Sequence, residues 1–171
     1  LSNKLEDLKD EETIEKFIQL EAAFDAQNIR YIRHSTKRFD KEQYALWCQG
    51  RKSLIETNLA RLQANMNPII EWIDKNGKRH SDNDYTITEC DGYKYKSLHQ
   101  SGEAVDYVVL TKDKKPTWDY IKYCVEYRAL RDIGTALGFN CGGNWMKKAD
   151  GSDSPYIKVN LGWDPPHFQV G

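Results

Sequence analysis

The sequence predicts an α+β fold in which an antiparallel sheet is flanked by helices, and three observations carry that reading. Segments of helical and of strand periodicity mix along the chain without the β-α-β rhythm or phosphate-loop signature of a parallel sheet. Asn76-Gly77 is a strong hairpin-turn pair, and hairpins join antiparallel strands. The C-terminal stretch 139–170 reads as short strands and glycine-rich loops.

Element by element, residues 11–27 place Ile14, Phe17, Ile18, Leu20, Ala23 and Phe24 at helical spacing behind acidic first-turn residues. Residues 29–35 (IRYIRHS) suit a short strand. A helix follows with Asp40 as its N-cap, Tyr44, Leu46 and Trp47 as apolar positions, and Gly50 as its stop. Residues 53–65 suit another helix, broken by Asn67-Pro68. After the hairpin signal, YTITEC (85–90) and AVDYVVL (104–110) read as strands. Pro116 is expected to open a long helix reaching about Leu137.

The totals restrict the function classes. A 171-residue chain with 39% apolar and 30% charged residues suits one globular domain, 1–171, able to bury a core. A net charge of −1 offers no basic field for nucleic acid, and no stretch is long and apolar enough for a membrane span. Cys48, Cys90, Cys124 and Cys141 are too widely spaced for a thiolate zinc site, and two disulfides or four free thiols both fit the count. The first residues, LSNKLEDLKDEE, lack the apolar core of a signal peptide.

The stretch KSLHQSGEAVDYVVL (96–110) raises the chemical question. Asp106 sits inside a strand headed for a core, where an ionised carboxylate is costly unless paired or bound to metal. Alternation places Val105 and Tyr107 opposite Asp106, so a solvent-facing Asp106 fits the pattern as well as a buried one. His34 and His80 fit ordinary polar roles. His99 precedes Asp106 by seven residues, and His167 follows Asp164 by three in DPPHF. Two imidazoles and a carboxylate suit zinc with a fourth position open, and Asp164 adds a second carboxylate.

SLHQSGEAVD together with DPPHF resembles the M15 zinc peptidases, the D-Ala-D-Ala carboxypeptidase and L-alanyl-D-glutamate endopeptidase group that includes phage endolysins. The family pattern S-x-H-x-x-G-x-A-x-D, then an acid three residues before a final histidine, is met by Ser97, His99, Gly102, Ala104, Asp106, Asp164 and His167. KRFDKEQYALWCQGR (37–51) and IGTALGFNCGGNW (133–145) resemble two further family segments. The chain departs from them at Lys37, Cys141 and Asn144, and it carries extra length near 52–85 and 146–162.

The resemblance implies a Hedgehog/DD-peptidase-like fold and Zn2+ held by His99, Asp106 and His167. It implies Asp164 as the catalytic acid/base and Arg38 as the group that stabilises charge on the substrate carbonyl. Ser97, Gln43, Trp145 and Trp163 are the substrate-side candidates; Ser97 is expected to shape the turn rather than attack. The expected partner is the bacterial peptidoglycan stem peptide, cut at its L-alanyl-D-glutamate bond by a monomer. A carboxypeptidase of the same family and a non-catalytic zinc module of the same fold are the alternatives. The protein is expected to act at the cell wall, held in the cytoplasm until lysis or delivered as part of a larger protein. Trp47, Trp72 and Trp118 are expected to pack, as are Tyr93 and Tyr95.

Overall fold

The structure, a computed structural model, describes residues 1–171. In chain order the elements are α1 (Glu11–Ala26), β1 (Tyr31–Ser35), α2 (Asp40–Cys48), α3 (Leu54–Gln63), β2 (Trp72–Ile73), β3 (Arg79–His80), α4 (Leu98–Ser101), β4 (Ala104–Val109), α5 (Cys124–Ala136), β5 (Asn140–Cys141) and β6 (His167–Gln169). They fall into two compact units, one of Leu1 with 38–100 and one of 2–37 with 101–171. The mixed helix and antiparallel sheet architecture is the one the sequence predicts.

The larger unit is built on a four-stranded sheet in the order β1-β4-β6-β5, antiparallel throughout. Strand alternation decides its two faces. Val105, Tyr107, Val109, Phe168 and Cys141 point to one side and form the core with Phe17, Leu20 and Phe24 of α1 and Tyr127 and Leu130 of α5. Phe24 meets Tyr107 edge-on at 5.3 Å and Phe168 at 5.7 Å, the geometry aromatic quadrupoles favour. Each such buried ring contributes about 1.5–3 kcal/mol over an exposed one. Asp10 caps α1, accepting from the Thr13 amide at 2.8 Å.

Ala104 and Asp106 take the other face. Asp106 lies opposite His167 on β6 and opposite Ser35 on β1, where the register shifts. Its side chain is 13% exposed, so this face is covered rather than open to solvent.

The smaller unit packs α2 on α3 through small residues, Ala45, Cys48 and Ala60, with Trp47 and Tyr44 against them. Ser53 caps α3 in a reciprocal box with Glu56. The Asn76-Gly77 turn closes the two-residue strands β2 and β3.

Three local expectations fail for identifiable reasons. YTITEC forms no strand: side chains rather than a ladder hold it, with Gln43 donating to the Thr88 hydroxyl and Cys90 carbonyl and Arg51 to the Thr88 carbonyl. The long helix begins only at Cys124, because Pro116 bridges back to Leu110 and the Thr117 amide donates to Val109. Trp72, Trp118, Tyr93 and Tyr95 are 57%, 50%, 56% and 58% exposed instead of packed away. All four cysteines are free thiols. No helix is long and apolar enough to cross a membrane.

Candidate metal centre

The turn before β4 carries the first candidate ligand, His99. Ser97 caps the four-residue α4, its hydroxyl accepting from the His99 amide at 3.3 Å and its carbonyl from the Gln100 amide at 2.9 Å. Gln100 returns the contact, accepting from the Ser97 amide at 2.9 Å. Ser97 thus shapes the turn. His99 is 1% exposed, and its carbonyl accepts the Arg38 amide at 3.0 Å, which ties Arg38 to the ligand's backbone.

Gly102 ends this turn for a steric reason. Its φ is +75°, and a Cβ there would stand 2.7 Å from the Lys9 amide nitrogen that donates to its own carbonyl. Only glycine lets the chain reverse here and enter β4 in the register that leaves Asp106 beside His167.

The other two candidate ligands, Asp106 and His167, are directly paired across β4 and β6. His167 Nδ1 lies 3.4 Å from Asp106 Oδ1 and 4.0 Å from Asp164 Oδ2. Its Nε2 lies 3.0 Å from Gln169 Oε1. Burial opposes charging the ring, but hydrogen bonding to Asp106 and the charges of Asp164 and Asp106 outweigh it and raise the His167 pKa above its usual 6.5.

The ligand atoms of His99, Asp106 and His167 all lie within 4.8 Å of one another. Tetrahedral ligands at about 2.0–2.2 Å from zinc stand roughly 3.3–3.6 Å apart, so the Asp106–His167 edge already has that spacing. Two neutral imidazoles and one carboxylate form a borderline-soft nitrogen and oxygen set that fits zinc. A buried Asp106 between two imidazoles is also the arrangement a cation would offset. The donor chemistry fits a divalent metal.

Asp164 is the more exposed carboxylate, its side chain 34% accessible. Its backbone is held by a crossing that leaves no room for side chains. A Cβ on Gly142 would come within 2.2 Å of the Asp164 carbonyl, and one on Gly162 within 2.1 Å of the Gly142 carbonyl. The Gly162 and Trp163 amides donate to Gly143 and Trp145, completing the crossing. The glycines of CGGNW and NLGWD therefore set where Asp164 sits.

Of the substrate-side candidates, Trp145 and Trp163 adjoin the centre. Their rings are 5.3 Å apart, and Trp145 lies 5.1 Å from the His167 ring. Trp163 donates to the Lys147 carbonyl at 3.1 Å, anchoring the 146–162 segment. Gln43 corrects the expectation. It is fully buried, both amide hydrogens are spent on Thr88 and Cys90, and its oxygen accepts from Arg38 at 3.4 Å, so it supports Arg38 instead of facing substrate. Sequence reasoning missed Gln169 and Asn140, which accepts from Trp145 Nε1 at 2.7 Å. Period-two alternation from His167 was the available signal for Gln169.

No protein-family profile matches the chain, and no curated protein matches it. Solved structures do. A vancomycin-resistance D,D-pentapeptidase, a VanY variant from a VanB-type resistance cassette in complex with Zn(II), is similar with a TM-score of 0.50 at 15% identity, over 94% of this chain and 71% of that one. The LdcB LD-carboxypeptidase, whose structure addresses peptidoglycan recognition, is similar with a TM-score of 0.50 at 13% identity, over 94% of this chain and 57% of that one. At such identities the likeness is one of fold, and it is the fold that the resemblance implied. The VanY structure holds Zn(II), and this chain has a His/Asp/His site able to hold such an ion.

Proposed function

We propose that the protein is a zinc metallopeptidase of the M15 type that cuts the stem peptides of bacterial peptidoglycan, acting at the cell wall. One observation carries this reading: a buried His/Asp/His cluster with a second, accessible carboxylate, Asp164, 4.0 Å from the ligand His167. A purely structural metal site has no use for that second carboxylate. The carriers of zinc in this reading are His99, Asp106 and His167.

When bound, zinc supplies a Lewis acid that lowers the pKa of water towards 7 and polarises a carbonyl. The remaining work falls to the chain. Asp164 accepts the proton of the attacking water and returns it to the leaving amine, which needs a carboxylate reachable from solvent yet fixed in place. The glycine crossing behind it provides that fixity. Arg38, held by Gln43 and by the hydrogen bond its backbone amide donates to the His99 carbonyl, provides a donor for the developing oxyanion. Trp145 and Trp163 form an aromatic wall beside His167, and Ser97 keeps the ligand-bearing turn in shape.

The finer reading is an endopeptidase for the L-alanyl-D-glutamate bond, favoured by the sequence segments EQYALWCQGR, CGGNW and DPPHFQ. Carboxypeptidase action is the second reading, because the similar structures carry the names D,D-pentapeptidase and LD-carboxypeptidase. Zinc-loaded protein incubated with purified walls separates them. New glutamyl amino termini are the expected product; free D-alanine without new amino termini would transfer the assignment to the carboxypeptidase, and neither product would overturn the peptidase reading. In either case 1–171 acts as one catalytic domain, as a monomer, with 52–85 and 146–162 as additions that tune substrate choice.

A further inference from the structure

We propose that Gln169 is a positioning residue for His167, selecting the imidazole tautomer that presents a bare Nδ1 to the cation. The inference rests on the metal-site reading above and gives a role to Gln169, which is neither a candidate ligand nor the acid of that site.

His167 and Gln169 are two apart on β6, so alternation sends both side chains to the same sheet face while Phe168 between them enters the core. Gln169 Oε1 stands 3.0 Å from Nε2 of His167, while Nδ1 faces Asp106 at 3.4 Å. A neutral imidazole carries one proton. Both ring nitrogens face an oxygen in the metal-free protein; once a cation takes Nδ1 beside Asp106, the single proton of the neutral ring goes to Nε2, where the Gln169 amide oxygen accepts it. A ligand histidine whose other ring nitrogen donates to a fixed acceptor is both oriented and made a better donor to metal.

The surroundings suit this arrangement. Gln169 lies opposite Ala104 on one side and Asn140 on the other. Ala104 is fully buried and ends at its Cβ, so it does not compete with the amide for the space over His167. Asn140 is occupied in holding Trp145, whose ring contacts His167 at 5.1 Å. The imidazole is thus gripped at Nε2 by Gln169 and along its ring by Trp145.

The test is zinc affinity, measured by competition with a chromophoric chelator on the full chain. Gln169→Met keeps the length and loses the acceptor; it is expected to bind zinc about 10–100-fold more weakly, the usual effect of removing an outer partner of a ligand. Gln169→Glu restores an acceptor and is expected to bind at least as tightly as wild type. Ring nitrogen NMR of zinc-loaded wild type is expected to show the proton on His167 Nε2 and zinc on Nδ1. Zinc on Nε2, a Met variant within about twofold of wild type, or a Glu variant as weak as the Met variant would each overturn the inference. Because the ring spectrum uses wild type, it decides the matter even if the Met variant fails to fold. If wild type binds no zinc, the metal-site reading falls together with the inference; if wild type binds and Gln169→Met binds equally, only the inference falls.

Discussion

Two histidine–aspartate contacts in this protein look alike by distance and differ in every property that matters for chemistry. In the hairpin, His80 Nε2 lies 2.9 Å from Asp74 Oδ2, and Trp72 stacks on the imidazole at 4.3 Å. Between β4 and β6, His167 lies 3.4 Å from Asp106. The hairpin contact is the shorter, but it is a finished turn motif: Asp74 also accepts the Asn76 and Lys78 amides, and both partners are partly wet. The strand contact is buried, has a second imidazole within reach and a second carboxylate at 4.0 Å, and so concentrates donor atoms that a cation can satisfy. Proximity of opposite charge is common; convergence of buried ligands is what marks a site.

The comparison breaks first at Asp106. Asp106→Ala is expected to strip zinc from the purified protein and lower wall hydrolysis by at least about 100-fold, since losing a ligand costs more than losing an outer partner. Plasma mass spectrometry of the dialysed variant checks the metal, and turbidity loss of cell walls checks the activity.

Asp164→Ala sharpens the division between holding metal and using it. Zinc content is expected to stay at the wild-type level while hydrolysis falls about 10²–10⁴-fold, the range for a positioned acid–base group. Unchanged hydrolysis would remove Asp164 from the proton-transfer role, and loss of zinc would make it a ligand instead. A protein that binds zinc and hydrolyses no wall even as wild type would instead suit the non-catalytic module that shares this fold.

Arg38→Ala tests the proposed oxyanion donor. The expected loss is about 100-fold in kcat, as for the removal of one oxyanion donor, with zinc content retained. Steady-state kinetics on a soluble stem peptide distinguish this from a change confined to KM.

The hairpin contact should yield the smallest effect. His80→Ala is expected to leave zinc content and hydrolysis at wild-type levels and to keep the urea unfolding midpoint close to that of wild type. The His80 hydrogen bond, with those from the Lys78 and Asn76 amides, holds the Asp74 carboxyl below its usual 3.8. Its contribution is therefore present above that usual value and is lost as pH falls through the depressed one. A hairpin variant that lost zinc would erase the distinction between the two contacts.

These two contacts also show what the sequence makes legible. Asp106 was ambiguous because alternation assigns a face and cannot say whether that face is covered; its face is opposite the core, as alternation has it, yet the side chain is only 13% exposed. His99 and His167 lie 68 positions apart in sequence, and only motif resemblance linked them before the fold did. α1 and β4 were readable because their apolar residues recur at the helix and strand periods and are the ones the core buries. The segment 85–90 misled because its alternating residues are held by Gln43 and Arg51, side chains distant in sequence, and not by a neighbouring strand. Pro116 misled because a proline that starts helices also suits a bridge at a sheet edge. Gln169, Asn140 and the Gly142–Gly162 crossing carry no chemistry of their own, so nothing in their residue types called attention to them.

Whether His99, Asp106 and His167 converge to hold one divalent cation is read by a zinc titration of metal-free protein. Saturation at one equivalent is expected, with a melting temperature that rises with free zinc as for a ligand of the native state alone. His99→Ala is expected to abolish both effects. No saturable binding, or binding that survives His99→Ala undiminished, would contradict that convergence.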